Sequence, residues 1–211
     1  LMTERYHVRD RRSAIFRFHV QTSGSTHTYQ QPLNNIVRVA YQVLAAALGG
    51  AQSIHANSYE EALCLPTEQG ILLSIRTQQL AQLESGVSKV ADPLGGSYFL
   101  EWLTTEVEKR AEEYLHLVEG QGGLVAVLES GWVHREFTKA MAEHEKRVAS
   151  GEIPVVGVNC YPVEKELFEA PVFRPGEHGG EVQKAKLIKL RQERDNAEVS
   201  RSLEALRQAT A

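Results

Sequence analysis

Two short segments carry polar side chains at alternate positions: Arg17, His19 and Gln21 in the first, Ser53, His55 and Asn57 in the second, with Glu61 a little further on. Alternation at a period of two puts such residues on one face of a strand. An imidazole, two carboxamides and a carboxylate form a set that grips hydroxyls and amides by hydrogen bonds. Each residue also has an ordinary structural use. His19 and His55 suit hydrogen-bonded interior positions, and Glu61, at the expected start of a helix, complements the helix dipole. A shared site is favoured because both segments gather these groups at their C-terminal ends, where parallel α/β folds place their active residues.

The elements that must position them follow from periodicity. Phe16, Phe18 and Val20 fill the second face of a strand over 15–22. Pro32 and Asn34 open a helix whose stripe of Ile36, Val39, Ala40, Val43, Leu44 and Ala47 follows helical spacing, and Gly49 and Gly50 close it. A second strand over 52–57 turns Ile54 and Ala56 to one side. Strand, helix and strand make a βαβ unit, which requires parallel pairing and a right-handed crossover. Beyond Tyr59 the pattern is helical, with packing helices expected over 67–84, 98–118 and 132–149, separated by loops at 85–96 and 120–123. The apolar run 154–158 reads as one more strand. Residues 160–181, with Pro162, Pro171 and Pro175, have the composition of an extended linker, and two polar helices follow over 182–194 and 197–208.

The 211 residues, 42% of them hydrophobic, suffice to bury a core. No run approaches the ~20 apolar residues of a membrane helix and the N-terminus lacks a signal-peptide pattern, so a cytoplasmic protein without membrane contact is expected. A net charge of -4 with interspersed signs argues against a nucleic-acid partner. Cys64 and Cys160 lie far apart with no CxxC neighbour, which suggests ordinary thiols and no metal site.

Several long runs resemble the methylmalonyl-CoA mutase family of adenosylcobalamin-dependent acyl-CoA mutases: RFHVQTSGSTHTYQQPLNNIVR (17–38), QSIHANSYEEALCLPTE (52–68), ESGVSKVADPLGGSYFLEWLT (84–104), Gly122–Gly123 and GEIPVVGVNCY (151–161). The resemblance implies an α/β fold, the C-terminal portion of a (β/α)8 TIM barrel, with strands seven and eight and their helices in 1–66. A helical extension packing on the barrel (67–161), a linker (162–181) and C-terminal helices (182–211) complete the expected organisation. It implies that His19 and Gln21 line the catalytic cavity. Gln21, Gly24, Asn57 and Glu61 would bind adenosylcobalamin, with Gly24 admitting the corrin and Glu61 on the ribose or the corrin edge. Ser25 departs from the aromatic residue that many members carry there, and Ser-Thr resembles members that keep the cobalamin domain on another chain. No Asp-x-His-x-x-Gly occurs, so the axial ligand of cobalt is expected from another chain or domain. The implied partners are a cobalamin-binding subunit, the rest of the barrel and an acyl-CoA substrate. The first implied activity converts (R)-methylmalonyl-CoA to succinyl-CoA; isobutyryl-CoA or 2-hydroxyisobutyryl-CoA mutase is the alternative, and a non-catalytic fragment or assembly module is the reading from another class.

Overall fold

The structure is a computed structural model that describes residues 3, 6–174, 176 and 178–210. Its regular elements are β1 (His19–Gln21), α1 (Asn34–Leu48), β2 (Ser53–His55), α2 (Glu68–Leu83), α3 (Tyr98–Gly120), α4 (Leu124–Glu129), α5 (Trp132–Ala149), α6 (Gly179–Glu193) and α7 (Asn196–Thr210). They fall into two units, Leu1–Val172 and Phe173–Ala211.

In the first unit β1 and β2 pair in parallel, with His19 opposite Ser53, Val20 opposite Ile54 and Gln21 opposite His55. The crossover is α1. Its Val39 and Val43 form the core with Ala56, and Ile54 and Ala81 pack against them. Burial of these aliphatic groups at i and i+4 fixes the helix on one face of the strand pair and leaves the other face to the polar residues.

Both strands are shorter than the alternation predicts. Phe18 N–H is met by the Gln52 side chain at 2.8 Å instead of by a neighbouring backbone, which ends the ladder. Phe16 stacks on Phe18 with ring centroids 5.1 Å apart yet remains 80% exposed. The chain after β2 is a hydrogen-bonded turn through Tyr59–Leu63, so Glu61 is a turn residue and not the start of a helix; α2 begins only after its N-cap Thr67. The expected strand over 154–158 does not form. Asn159 captures the backbone there: its Oδ1 accepts from Val155 N–H (2.6 Å), and its Nδ2 donates to the Val148 (2.7 Å) and Ile153 (2.8 Å) carbonyls. These bonds replace those a strand would offer a neighbour, leaving one bridge between Val156 and Cys160.

The helix α4, inside the stretch expected to be helical, follows the positive-φ Gly123 and buries Val127. The helices α3 and α5 form over the expected ranges, but neither has a buried residue, and Tyr98 is 95% exposed. Residues 161–178 carry no helix or strand where described, yet parts are anchored: Gln31 N–H donates to Glu166 (2.9 Å) and Phe168 lies 6.1 Å from Tyr59, ring to ring. Pro175, counted in the expected linker, lies outside the described residues. In the second unit α6 and α7 bury no residue.

Candidate functional site

On the sheet face opposite α1, Gln21 leaves β1 and its Nε2 donates to Asn57 Oδ1 across 3.0 Å. Asn57 is 3% exposed. Its Nδ2 donates to the Thr22 carbonyl (3.1 Å) and its N–H to Thr22 Oγ1 (2.9 Å), so the two strand ends are laced together beyond the last ladder pair. Gly24 closes the group. A β-carbon built on it would stand 3.4 Å from Asn57 Nδ2, 3.5 Å from Glu61 Cγ and 3.7 Å from Glu61 Oε1. Gln21, Gly24, Asn57 and Glu61 therefore meet at one rim, with Gln21 and Glu61 exposed there. His19 lies on the same face further back along β1 and shares a 2.7 Å hydrogen bond with Ser53 Oγ. His55, opposite Gln21 in register, is exposed.

One polar stripe of α1 sets the loop that presents Gly24. Asn35, Arg38 and Gln42 recur at i, i+3 and i+7 and face that loop together. Gln42 accepts from Ser23 N–H (2.7 Å) and donates to Thr26 Oγ1 (2.8 Å), gripping both sides of the Gly24–Thr26 turn. Fully buried Asn35 accepts from Thr28 N–H (3.1 Å) and donates to the Thr28 and Tyr59 carbonyls, each at 2.9 Å. It thus ties the loop after β1 to the turn after β2. Arg38 adds bonds to Thr28 Oγ1 (2.8 Å), Asn35 Oδ1 (2.7 Å) and the Val156 carbonyl (2.7 Å), and burial lowers its pKa.

Reasoning from sequence missed these supports, together with His27 and Glu60. Asn35 gave little signal, because an asparagine in the first turn of α1 reads as an ordinary residue of a helix start. Glu60 had none, because its neighbour Glu61 has the same side chain. In the structure the two diverge. Glu61 is exposed, whereas Glu60 is fully buried, with Oε1 accepting from Thr67 N–H (2.8 Å) and Oγ1 (2.5 Å). Burial also governs His27, whose pKa is lowered chiefly by desolvation, with Glu61 acting in the opposite sense and Arg38 in the same sense.

The parallel strand pair with its crossover helix thus presents two side-chain amides and one exposed carboxylate at its C-terminal rim. The sequence profile of the family described as methylmalonyl-CoA mutase matches residues 1–211. Over 206 residues, 98% of the chain, it is 41% identical to the 2-hydroxyisobutanoyl-CoA mutase large subunit of Aquincola tertiaricarbonis, of which it covers 37%. It is 38% identical over its whole length to the mitochondrial methylmalonyl-CoA mutase of Homo sapiens, covering 28% of that protein, and 37% identical over 199 residues to methylmalonyl-CoA mutase of Cereibacter sphaeroides, again covering 28%. The chain belongs to the methylmalonyl-CoA mutase family and spans between about a quarter and two fifths of the length of these relatives.

Proposed function

We propose that this chain forms the closing part of the catalytic barrel of an adenosylcobalamin-dependent acyl-CoA mutase, contributing strands seven and eight as β1 and β2. The convergence of Gln21, Gly24, Asn57 and Glu61 carries this reading. Residues 1–66 are then the last two β/α units, 67–161 the extension that packs on the barrel, 162–181 a linker and 182–211 the terminal helices.

The donor set suits the cofactor. Glu61 offers an exposed carboxylate to ribose hydroxyls or the corrin edge, and the bare α-carbon of Gly24 leaves space that a methyl group would occupy. Asn57 works as a strut: three bonds to Gln21 and Thr22 hold it, and its amide keeps one hydrogen and one lone pair to offer a ligand. Gln21 is oriented by Asn57 and, with His19 held by Ser53, lines the cavity on the substrate side. Gln21, Gly24, Asn57 and Glu61 would hold adenosylcobalamin, whose cobalt–carbon bond would supply the radical chemistry that a carbon-skeleton rearrangement requires. The chain's own work is to fix the ligand, keep its orientation and exclude water; no strong acid, base or nucleophile is needed.

The partners in this proposal are the remaining barrel strands and a cobalamin-binding domain or subunit that would hold the cobalt. The substrate is an acyl-CoA, with (R)-methylmalonyl-CoA as the first reading. 2-Hydroxyisobutyryl-CoA is the second, favoured by the 41% identity to a protein named for that activity. A cytoplasmic location belongs to the same proposal; no described helix is long and apolar enough to cross a membrane. Joining or mixing the chain with the missing barrel segments, the cobalamin-binding part and adenosylcobalamin tests the reading. Isomerisation of one of these acyl-CoA esters is expected, and an assembly that forms without isomerisation or any change in the cofactor spectrum would make the chain a non-catalytic module.

A further inference from the structure

From Val156 to Pro171 the chain forms no regular element beyond one bridge, yet it is tied to both loops that make the rim. On the loop after β1, Gln31 N–H donates to Glu166 Oε1 (2.9 Å) and Gln31 Nε2 to the Tyr161 carbonyl (2.9 Å). On the turn after β2 and its exit, the Tyr59 ring lies 6.1 Å from that of Phe168, and Cys64 Sγ is 3.9 Å from the Pro171 carbonyl. Between them Arg38 of α1 donates to the Val156 carbonyl at 2.7 Å. Gln31 is the most heavily engaged of these residues. Its carbonyl and Oε1 also accept, from Asn34 N–H (2.9 Å) and Nδ2 (3.0 Å). Gln31 holds a φ of 46°, and Tyr161, at the far end of one of its bonds, a φ of 50°. There the β-carbon crowds the backbone, so such a conformation persists only where contacts hold it. A β-carbon on Gly157 would stand 3.3 Å from Gln31 Cδ, so glycine lets the segment approach the Gln31 amide closely. A connection that merely crosses the surface needs none of this.

We propose that residues 156–171 form a strap that holds the loop after β1 and the turn after β2 at a fixed spacing, with Gln31 as its latch. Gln31 and Glu166 are then positioning residues for the rim at Gly24 and Glu61, and neither is a ligand contact. The role in cofactor binding rests on reading that rim as the cofactor site; the clamping of the two loops does not. An extended segment gives up conformational entropy along its whole length for few contacts, so the strap releases before the core does. Release loosens both loops together, and a ligand that bridges them favours the latched state. Asn35 ties the same two loops from within, so variants that isolate the strap belong on the strap itself.

Two measurements test it, both on the full chain in its assembled form. Glu166 is exposed, so replacing it leaves the core intact. Without cofactor, Glu166→Ala should speed amide exchange roughly threefold to tenfold, the worth of one hydrogen bond, in both 26–30 and 59–64. Glu166→Gln keeps an accepting oxygen and should recover most of the difference. Phe168→Ala, further along the strap, should speed the same two segments. Faster exchange confined to 156–171, or Glu166→Gln no closer to wild type than Glu166→Ala, overturns the strap. Adenosylcobalamin affinity is then measured on the same variants, where Glu166→Ala should bind roughly threefold to tenfold more weakly and Glu166→Gln should recover. Faster exchange in both loops with wild-type affinity overturns the positioning role. Wild-type affinity in Glu61→Ala removes the cofactor reading of the rim, and the exchange of 26–30 and 59–64 then decides the strap by itself.

Discussion

The backbone at Gly24 does not require glycine, since its φ lies outside the left-handed region and a β-carbon would meet its neighbours no closer than 3.4 Å. What glycine supplies there is vacant space beside Asn57 and Glu61. Gly24→Ala is therefore expected to change the melting free energy by less than about 1 kcal/mol while weakening adenosylcobalamin by roughly tenfold, because the methyl group intrudes on the ligand and not on the fold. Thermal melting and cofactor titration of the same variant separate the two effects. At His27 burial disfavours the charged imidazole, so its folded pKa lies below that of the unfolded chain. As pH falls through the ordinary 6.5 the unfolded chain takes up the proton first, so the stability His27 contributes is complete above that value and declines below it. Melting temperatures at pH 7.5 and 5.5 should accordingly diverge more in the wild type than in His27→Leu.

At the scale of elements, the βαβ unit was legible because α1 writes its buried stripe in aliphatic residues at helical spacing and both strands alternate cleanly. The strand ends were not legible. Alternation says which face a residue takes, while the ladder's length depends on what backbone lies alongside, and Gln52 closes it early with a side chain. The run 154–158 misled for a similar reason, since Asn159 satisfies locally the groups that a strand would share. Among the candidate residues, Gln21, Asn57 and Glu61 stood out as polar groups at strand ends, and Gly24 came only through family resemblance. Asn35, Arg38 and Gln42 stayed hidden because a polar stripe on a helix reads the same whether it faces water or a loop. The junction into α2 yields a prediction against helix propensity. A β-carbon on Gly70 would overlap the Glu60 carboxylate, which cannot retreat without surrendering both bonds from Thr67. Gly70→Ala, favourable by ~1 kcal/mol in an open helix, should here lower the melting temperature. An unchanged or raised melting temperature would show that Glu60 is not fixed where it is buried.

At the scale of the whole molecule, a two-stranded parallel sheet leaves both outer edges unpaired among the described residues, and the helices after it keep their apolar stripes exposed. Faces of this kind would be covered in the proposed assembly; among the described residues the core cluster is Val39, Val43 and Ala56, with Val127 buried outside it. The chain matches 37% and 28% of the lengths of two relatives, which accords with the proposal that further barrel segments pack on these faces. The site inherits the same dependence, because the rim of β1 and β2 is one side of a cavity whose other walls come from elsewhere in the proposed barrel. Hydrogen–deuterium exchange of the assembled protein, with and without adenosylcobalamin, tests whether the two strand ends form one cofactor pocket. Cofactor should slow exchange together in the segments 21–26 and 57–62, which the structure joins through Gln21, Asn57 and Gly24. Protection of only one segment, or protection confined to residues outside both, would contradict a cofactor pocket formed where the two strand ends meet.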